Sequence, residues 1–123
     1  MSNILYVDDE LENLAAFKAV FRRDYNIHTT ASPTEALDYL HSHDVNLIIT
    51  DQKMPEMTGV EFLKEVKEFI PQRCPGRIIL SGYSKSSAID EAYKKYNLCL
   101  FISKPWDPEE LKGKIDLVLT KCA

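Results

Sequence analysis

Five short apolar runs alternate with five stretches of helical spacing along 123 residues, and no other feature constrains the fold as tightly. The runs fall at residues 4–7, 25–30, 45–50, 77–81 and 98–103, with a β-branched bias in the first, third and fourth. Between the first two, Leu14, Phe17, Ala19, Val20 and Phe21 recur near helical spacing within residues 10–22. Ser32-Pro33-Thr34-Glu35 predicts a helix start, with Ser32 as N-cap, Pro33 first in the helix, and Glu35 (or residue 36 if the cap is offset by one) closing a capping box. Ala36, Leu37 and Leu40 then face inward. Thr58-Gly59-Val60-Glu61 opens a third helix to about Phe69, with Val60, Leu63 and Val66 on one side. Residues 84–96 predict a polar helix with few apolar anchors, and Asp107-Pro108 caps a fifth.

Strand and helix alternating at this spacing predict right-handed βαβ units: an α/β fold with a parallel sheet covered on both faces. The first, third and fourth runs are nearly all apolar, as central strands buried on both sides should be. The length suits one compact domain. A net charge of -4 gives no electrostatic case for nucleic-acid binding. No stretch approaches the roughly 18 apolar residues of a membrane span, and the N-terminus lacks the basic and apolar regions of a signal peptide. Cys74, Cys99 and Cys122 are odd in number and far apart, which fits neither a disulfide framework nor a zinc cluster. Reduced thiols in a cytoplasmic protein are the expectation.

In such sheets, ligands sit beyond the carboxyl ends of the strands. The first strand ends in Asp8-Asp9-Glu10, the third in Thr50-Asp51, the fourth in Ser81-Gly82 and the fifth in Ser103-Lys104-Pro105. Carboxylates gathered at one rim repel unless a cation joins them. Oxygen-only ligands suit a hard ion, Mg²⁺ or Mn²⁺. A metal, a hydroxyl and a lysine around one aspartate make a phosphoryl site, with the aspartate attacking in line.

The acid pair Asp8-Asp9, the acceptor in "DQKMPEMTG", the hydroxyl in "LSGY" and the lysine in "KPW" occur here in order and at the spacing of a known family. Over essentially its whole length the chain resembles the receiver domain of two-component response regulators, the CheY-like superfamily. The resemblance implies a (βα)5 doubly wound sheet in the flavodoxin-like order 2-1-3-4-5, filling residues 1–123, with any output domain absent or beyond residue 123. It implies a signalling module, not an enzyme in the ordinary sense, although such a module supports its own Mg²⁺-dependent phosphorylation and dephosphorylation. Asp51 matches the phosphoacceptor, supplied by a sensor histidine kinase or phosphotransfer protein. Asp9 and Asp51 would bind Mg²⁺ directly, Lys53 through its backbone carbonyl, and Asp8 mostly through a metal-bound water. Ser81 would bond the phosphoryl oxygen, and Lys104 would pair with the phosphoryl group, or with Asp51 before it arrives. Phe101 falls at the aromatic switch position, and Lys104-Pro105 at the family's cis peptide. The expected output face is helix four, strand five and helix five, toward an output domain or target protein. A phosphorylation-dependent homodimer is a further expectation.

Each residue also has a plainer reading. Asp8-Asp9 could cap a helix, Lys104 could be a solvated lysine, and Ser81 could cap the next turn. Phe101 reads equally well as core packing. Trp106 reads as a packing residue, and His28, His41 and His43 as surface histidines. Lys53 and Tyr83 depart from the commonest receiver pattern, and both are expected to lengthen the phosphoryl lifetime by crowding the in-line water. Lys53 could also pair with Glu10 or Glu56. An aspartyl-phosphate phosphohydrolase of the haloacid dehalogenase type needs an acid two residues after the nucleophile, where this chain has Lys53. A flavin-binding protein of similar topology needs a hydroxyl-rich loop after the first strand, where "DDELEN" would repel phosphate. A non-phosphorylated interaction module is disfavoured because all the site residues are present.

Overall fold

The computed structural model of the chain describes residues 1–82 and 86–122, the last by its backbone alone. The elements run β1 (Asn3–Val7), α1 (Leu11–Phe21), β2 (Asn26–Thr30), α2 (Pro33–Ser42), β3 (Leu47–Thr50), α3 (Gly59–Phe69), β4 (Gly76–Ser81), α4 (Ser87–Lys95), β5 (Leu100–Ser103) and α5 (Pro108–Cys122). All five strands are parallel, in the order β2-β1-β3-β4-β5, as the alternation and the resemblance together predict. β1, β3 and β4 are central, and their apolar residues are buried on both faces. The edge strands β2 and β5 are only partly covered.

Side chains alternate across the sheet and so divide into two cores. Leu5, Val7, Ile48 and Ile79 face α2, α3 and α4. Ile4, Tyr6, Ile49, Ile78 and Leu80 face α1 and α5, where Phe17, Phe21 and Trp106 form an aromatic cluster. Trp106 packs there as its sequence position suggests.

Several local expectations change. Leu14, Phe17 and Phe21 form the buried stripe of α1, while Val20 sits 43% exposed and Ala19 is exposed. Residues adjacent in a helix are turned about 100° apart, so Phe21 and Val20 cannot both face the sheet. The capping box at Ser32 is half formed. Ser32 Oγ accepts from Glu35 N at 3.2 Å, but the Ser32 amide donates to Thr30 Oγ1 at 3.1 Å and not to Glu35. The reciprocal box forms at Thr58 and Glu61 instead. Asp107 caps α5, accepting from Glu110 N at 3.0 Å. Of the residues predicted to begin helix four, Ser84 and Lys85 lie outside the described residues, as does Tyr83. β5 begins two residues later than predicted because Leu98 N closes back on Ala92 O at 3.1 Å, ending α4. His41 and His43 are exposed, but His28 is half-buried and stacked on Tyr39 with ring centroids 3.9 Å apart.

Candidate functional site

The rim at the carboxyl ends of the strands is held by bonds that extend the sheet ladder. Asp8 N donates to Thr30 O at 3.2 Å, Asp51 N to Val7 O at 2.9 Å and Lys104 N to Ser81 O at 2.9 Å. The backbones of three site residues are therefore fixed by neighbouring strands. The crevice they border lies where the winding reverses between β1 and β3, the switch point at which open α/β sheets bind ligands.

At this rim Asp8, Asp9 and Asp51 each present a carboxylate oxygen within 4.8 Å of the others. Asp8 is fully buried and fully committed. Its Oδ2 accepts from the Tyr6 hydroxyl at 2.8 Å, Lys104 Nζ at 3.0 Å and Asn13 Nδ2 at 3.2 Å, and its Oδ1 accepts from Glu10 N at 3.0 Å. Lys104 Nζ also stands 3.5 Å from Asp51 Oδ1. The lysine thus bridges two acids, with the shorter contact to Asp8. The Lys104-Pro105 peptide is cis. Asp9 Oδ1 is buried without a hydrogen-bond partner. A cleft of about 340 Å³ opens beside Asp51, lined also by Asp9, Glu10, Lys53, Met54 and Pro55.

Three carboxylates against one ammonium leave negative charge in excess. Burial raises the Asp51 carboxyl above its ordinary value and the Asp8 charge adds to this, while Lys104 pulls it down without prevailing. Burial and the Asp8 carboxylate beside it likewise push the Tyr6 hydroxyl far up, so it stays a donor. An orphaned buried carboxylate oxygen, oxygen-only donors and excess negative charge fit a hard divalent cation. Asp9 and Asp51 are the available direct ligands, because the oxygens of Asp8 already accept four hydrogen bonds.

The loop after β3 is shaped for this placement. Thr50 Oγ1 donates to Asp51 O at 2.8 Å, Gly59 N donates to Gln52 O at 2.8 Å, and Val60 N donates to Gln52 Oε1 at 3.0 Å. Gln52 therefore satisfies the first amides of α3. A Cβ on Gly59 would collide with the Asp51 carbonyl oxygen, so only glycine lets α3 start this close to the acid. Glu56, on the same loop, accepts from the hydroxyls of Thr34 at 2.9 Å and Ser32 at 3.0 Å, which tie the loop to α2.

The structure gathers Asp8, Asp9, Asp51 and Lys104 into one cluster. Ser81 is buried at the end of β4, and Lys53 is exposed on the cleft wall. Phe101 is half-buried on β5, its amide donating to the Tyr93 hydroxyl at 2.7 Å. The sequence reading missed Tyr6, Asn13 and Gln52 as site-building residues, while Gly59 shapes the loop as its position in the sequence suggests. Tyr6 was available from period two, which puts it on the same face of β1 as Asp8.

The response regulator receiver domain family model matches residues 4–116, and the chain belongs to this family. It is 39% identical over 108 residues to the hydrogenase transcriptional regulatory protein HoxA of Bradyrhizobium diazoefficiens, covering 88% of this chain and 22% of that protein. It is 30% identical over 122 residues to the response regulator Rre1 of Synechocystis, covering 97% of this chain and 52% of that one. Among solved structures, a CheY-like receiver domain protein from Methanospirillum hungatei superposes with a TM-score of 0.89 at 26% identity, covering 98% of this chain and 95% of that chain. The chain is thus a phosphorelay receiver, a signalling module whose family implies a histidine kinase partner and an output domain. It spans between about a fifth and a half of these two curated relatives. No helix among the described residues is long and apolar enough to cross a membrane.

Proposed function

We propose that Asp51 accepts the phosphoryl group, from the phosphohistidine of a histidine kinase or phosphotransfer protein, with Mg²⁺ (or Mn²⁺) held by Asp9, Asp51 and the Lys53 carbonyl. The observation that supports this reading is the cluster of Asp8, Asp9 and Asp51 oxygens within 4.8 Å of one another, with one Asp9 oxygen buried and unpartnered. When bound, the cation neutralises the carboxylates and the equatorial phosphoryl oxygens. The rest falls to the chain's own groups. An ionised Asp51 oxygen attacks phosphorus in line, and a new O–P bond forms as the N–P bond of the phosphohistidine breaks. The departing imidazole keeps that electron pair. Lys104, already 3.5 Å from Asp51, shifts to a phosphoryl oxygen while keeping its bond to Asp8. Ser81 bonds another phosphoryl oxygen, and Phe101 follows inward on β5.

The kinase docks beside the site, against the first turn of α1, where Leu11 is 70% exposed. The modified chain signals through α4, β5 and α5, to an output domain or target protein or to a second copy of itself. Residues 1–123 act as one receiver unit in the cytoplasm. Water reaches the same cleft and hydrolyses the acyl phosphate, and Lys53 on its wall slows that step by crowding the in-line approach; Tyr83, outside the described residues, is given the same role from its place in the sequence. Unchanged phosphoprotein decay in both Lys53→Ala and Tyr83→Ala would remove the lifetime role. For the central reading the test is labelling by acetyl phosphate. Labelling should need Mg²⁺ and disappear in Asp51→Asn, whereas label retained in that variant would place the acceptor elsewhere.

A further inference from the structure

A cavity of about 780 Å³ lies at the other end of the molecule, between the C-terminal ends of α3 and α4 and the start of β4. Its lining carries Lys64, Lys67, Arg73, Arg77, Lys94 and Lys95 against the single acid Glu68, in a chain whose net charge is -4. Three of these cations have structural work. Lys67 Nζ donates to Lys95 O at 2.7 Å and Arg77 Nη1 to Tyr96 O at 2.9 Å, both capping the negative end of α4. Arg73 pairs with Asp44 at 2.7 Å. Arg77 is the anomaly. It is 1% exposed, its Nε is buried without a hydrogen-bond partner, and no ion pair among the described residues includes it. Burial lowers its pKa. A carbonyl is a partial counter-charge, and a buried guanidinium without a full one is costly.

We propose that this cavity binds a small polyphosphorylated anion, which supplies the counter-charge Arg77 lacks. The volume is that of a small-molecule site, within the roughly 300–1,000 Å³ range of ligand pockets. Lys64, Lys94 and Lys95 are exposed at the mouth and favour a ligand with more than one negative charge, and the buried Arg77 charge beneath them adds to the same field. Ile70, Pro71 and Tyr96 supply apolar wall, so a nucleotide base has a surface to lie on. Without a cation the acid cluster at the opposite rim repels phosphate-rich ligands, so in the absence of metal the two sites select opposite charge. The same donors that would hold the anion also hold the last carbonyls of α4, so occupancy bears on that helix.

The test uses the whole chain in EDTA, which keeps metal-phosphate complexes off the acid rim. Pyrophosphate, tripolyphosphate and ATP are titrated by calorimetry and by amide NMR, with adenosine as the uncharged control. Saturable binding of a phosphate probe with Kd below about 1 mM is expected, with shifts at residues 64–77 and 94–97. Lys94→Gln with Lys95→Gln should weaken it about tenfold, Lys64→Gln alone should weaken it measurably in a chain that remains folded, and Asp51→Asn should leave it unchanged. ATP tighter than tripolyphosphate would identify the ligand as a nucleotide, and equal affinity an inorganic polyphosphate. Absence of saturable binding by all three, affinity untouched by the lysine substitutions, or shifts confined to residues 8, 9 and 51 would each overturn the proposal.

Discussion

Lys104 Nζ lies 3.0 Å from Asp8 Oδ2 and 3.5 Å from Asp51 Oδ1, so one ammonium, 81% buried, serves two buried acids. Removing it leaves both without their counter-charge. Lys104→Met should cost about 3 kcal/mol in urea unfolding at neutral pH in EDTA, the scale for breaking a buried ion pair. Millimolar Mg²⁺ should recover part of that loss, because the cation replaces the missing charge. Arginine is no conservative substitute here, since its planar fork cannot occupy the place of a compact ammonium between two carboxylates.

Tyr6 gives Asp8 a second, neutral donor from inside the core. Tyr6→Phe keeps the ring against Phe17, with which it makes an edge contact at 4.8 Å, and deletes only the hydroxyl. The loss should be about 1.5–3 kcal/mol by chemical denaturation, because the bond is to a charged, fully buried acceptor. With one donor fewer on Asp8, Mg²⁺ should bind more tightly, which a fluorescence or calorimetric titration would read.

Gly59 fixes how closely α3 approaches Asp51. Gly59→Ala would place a methyl against the Asp51 carbonyl oxygen, so either the helix start or the acid must move. An overpacking cost of about 1–3 kcal/mol is expected, measured by thermal or urea unfolding. Acetyl phosphate labelling should fall more than stability predicts, since the methyl displaces the backbone that carries the proposed acceptor, Asp51. Labelling at the wild-type rate in a folded variant would show that the loop absorbs the methyl elsewhere.

These residues also show what a sequence can disclose. The alternation of apolar runs and helical stretches was legible because central parallel strands are buried on both faces and so read as continuous apolar segments. That Asp8, Asp9, Asp51 and Lys104 meet at one rim was legible because the carboxyl ends of parallel strands share one edge of the sheet. The shorter of the Lys104 contacts was not, because it joins residues 96 apart and depends on rotamers that spacing does not set. Tyr6 passed as one more apolar residue in a strand. Arg77 looked like the polar start of a strand, and only the packing of α3 and α4 over it makes it a buried charge. Val20 misled because it sits one residue from a true core position.

A second electrostatic device anchors α5. The Asp116 carboxylate accepts from the Tyr25 hydroxyl and from Lys112 Nζ at 2.9 Å. Partial burial pushes Asp116 up, but these two donors outweigh it and hold its carboxyl below the ordinary value. A depressed folded-state pKa means stability that is present above the unfolded value and lost as pH falls through the folded one. Asp116→Asn should therefore cost about 0.5–1 kcal/mol at neutral pH, a small figure because the side chain is half exposed and screened. The gap between wild type and variant should narrow through and below the ordinary carboxylate range, and a gap independent of pH would exclude the charge as its origin.

The Tyr93 hydroxyl accepts from Phe101 N at 2.7 Å, joining α4 to the edge strand β5. Alternate amides of an edge strand point away from the ladder, Phe101 N is one of them, and this bond is what keeps it from solvent. Tyr93→Phe removes the acceptor and keeps the ring. Amide hydrogen exchange at Phe101 should accelerate by about tenfold, the equivalent of one hydrogen bond of roughly 1.4 kcal/mol, with little change in global stability. If phosphorylation draws Phe101 inward, the wild-type amide should lose the same protection when the chain is phosphorylated or carries a beryllofluoride mimic. In Tyr93→Phe the mimic should then add nothing further at this amide. Exchange at Phe101 that is unaltered by the mimic in the wild type would mean that the bond survives activation and that α4 and β5 move as one piece.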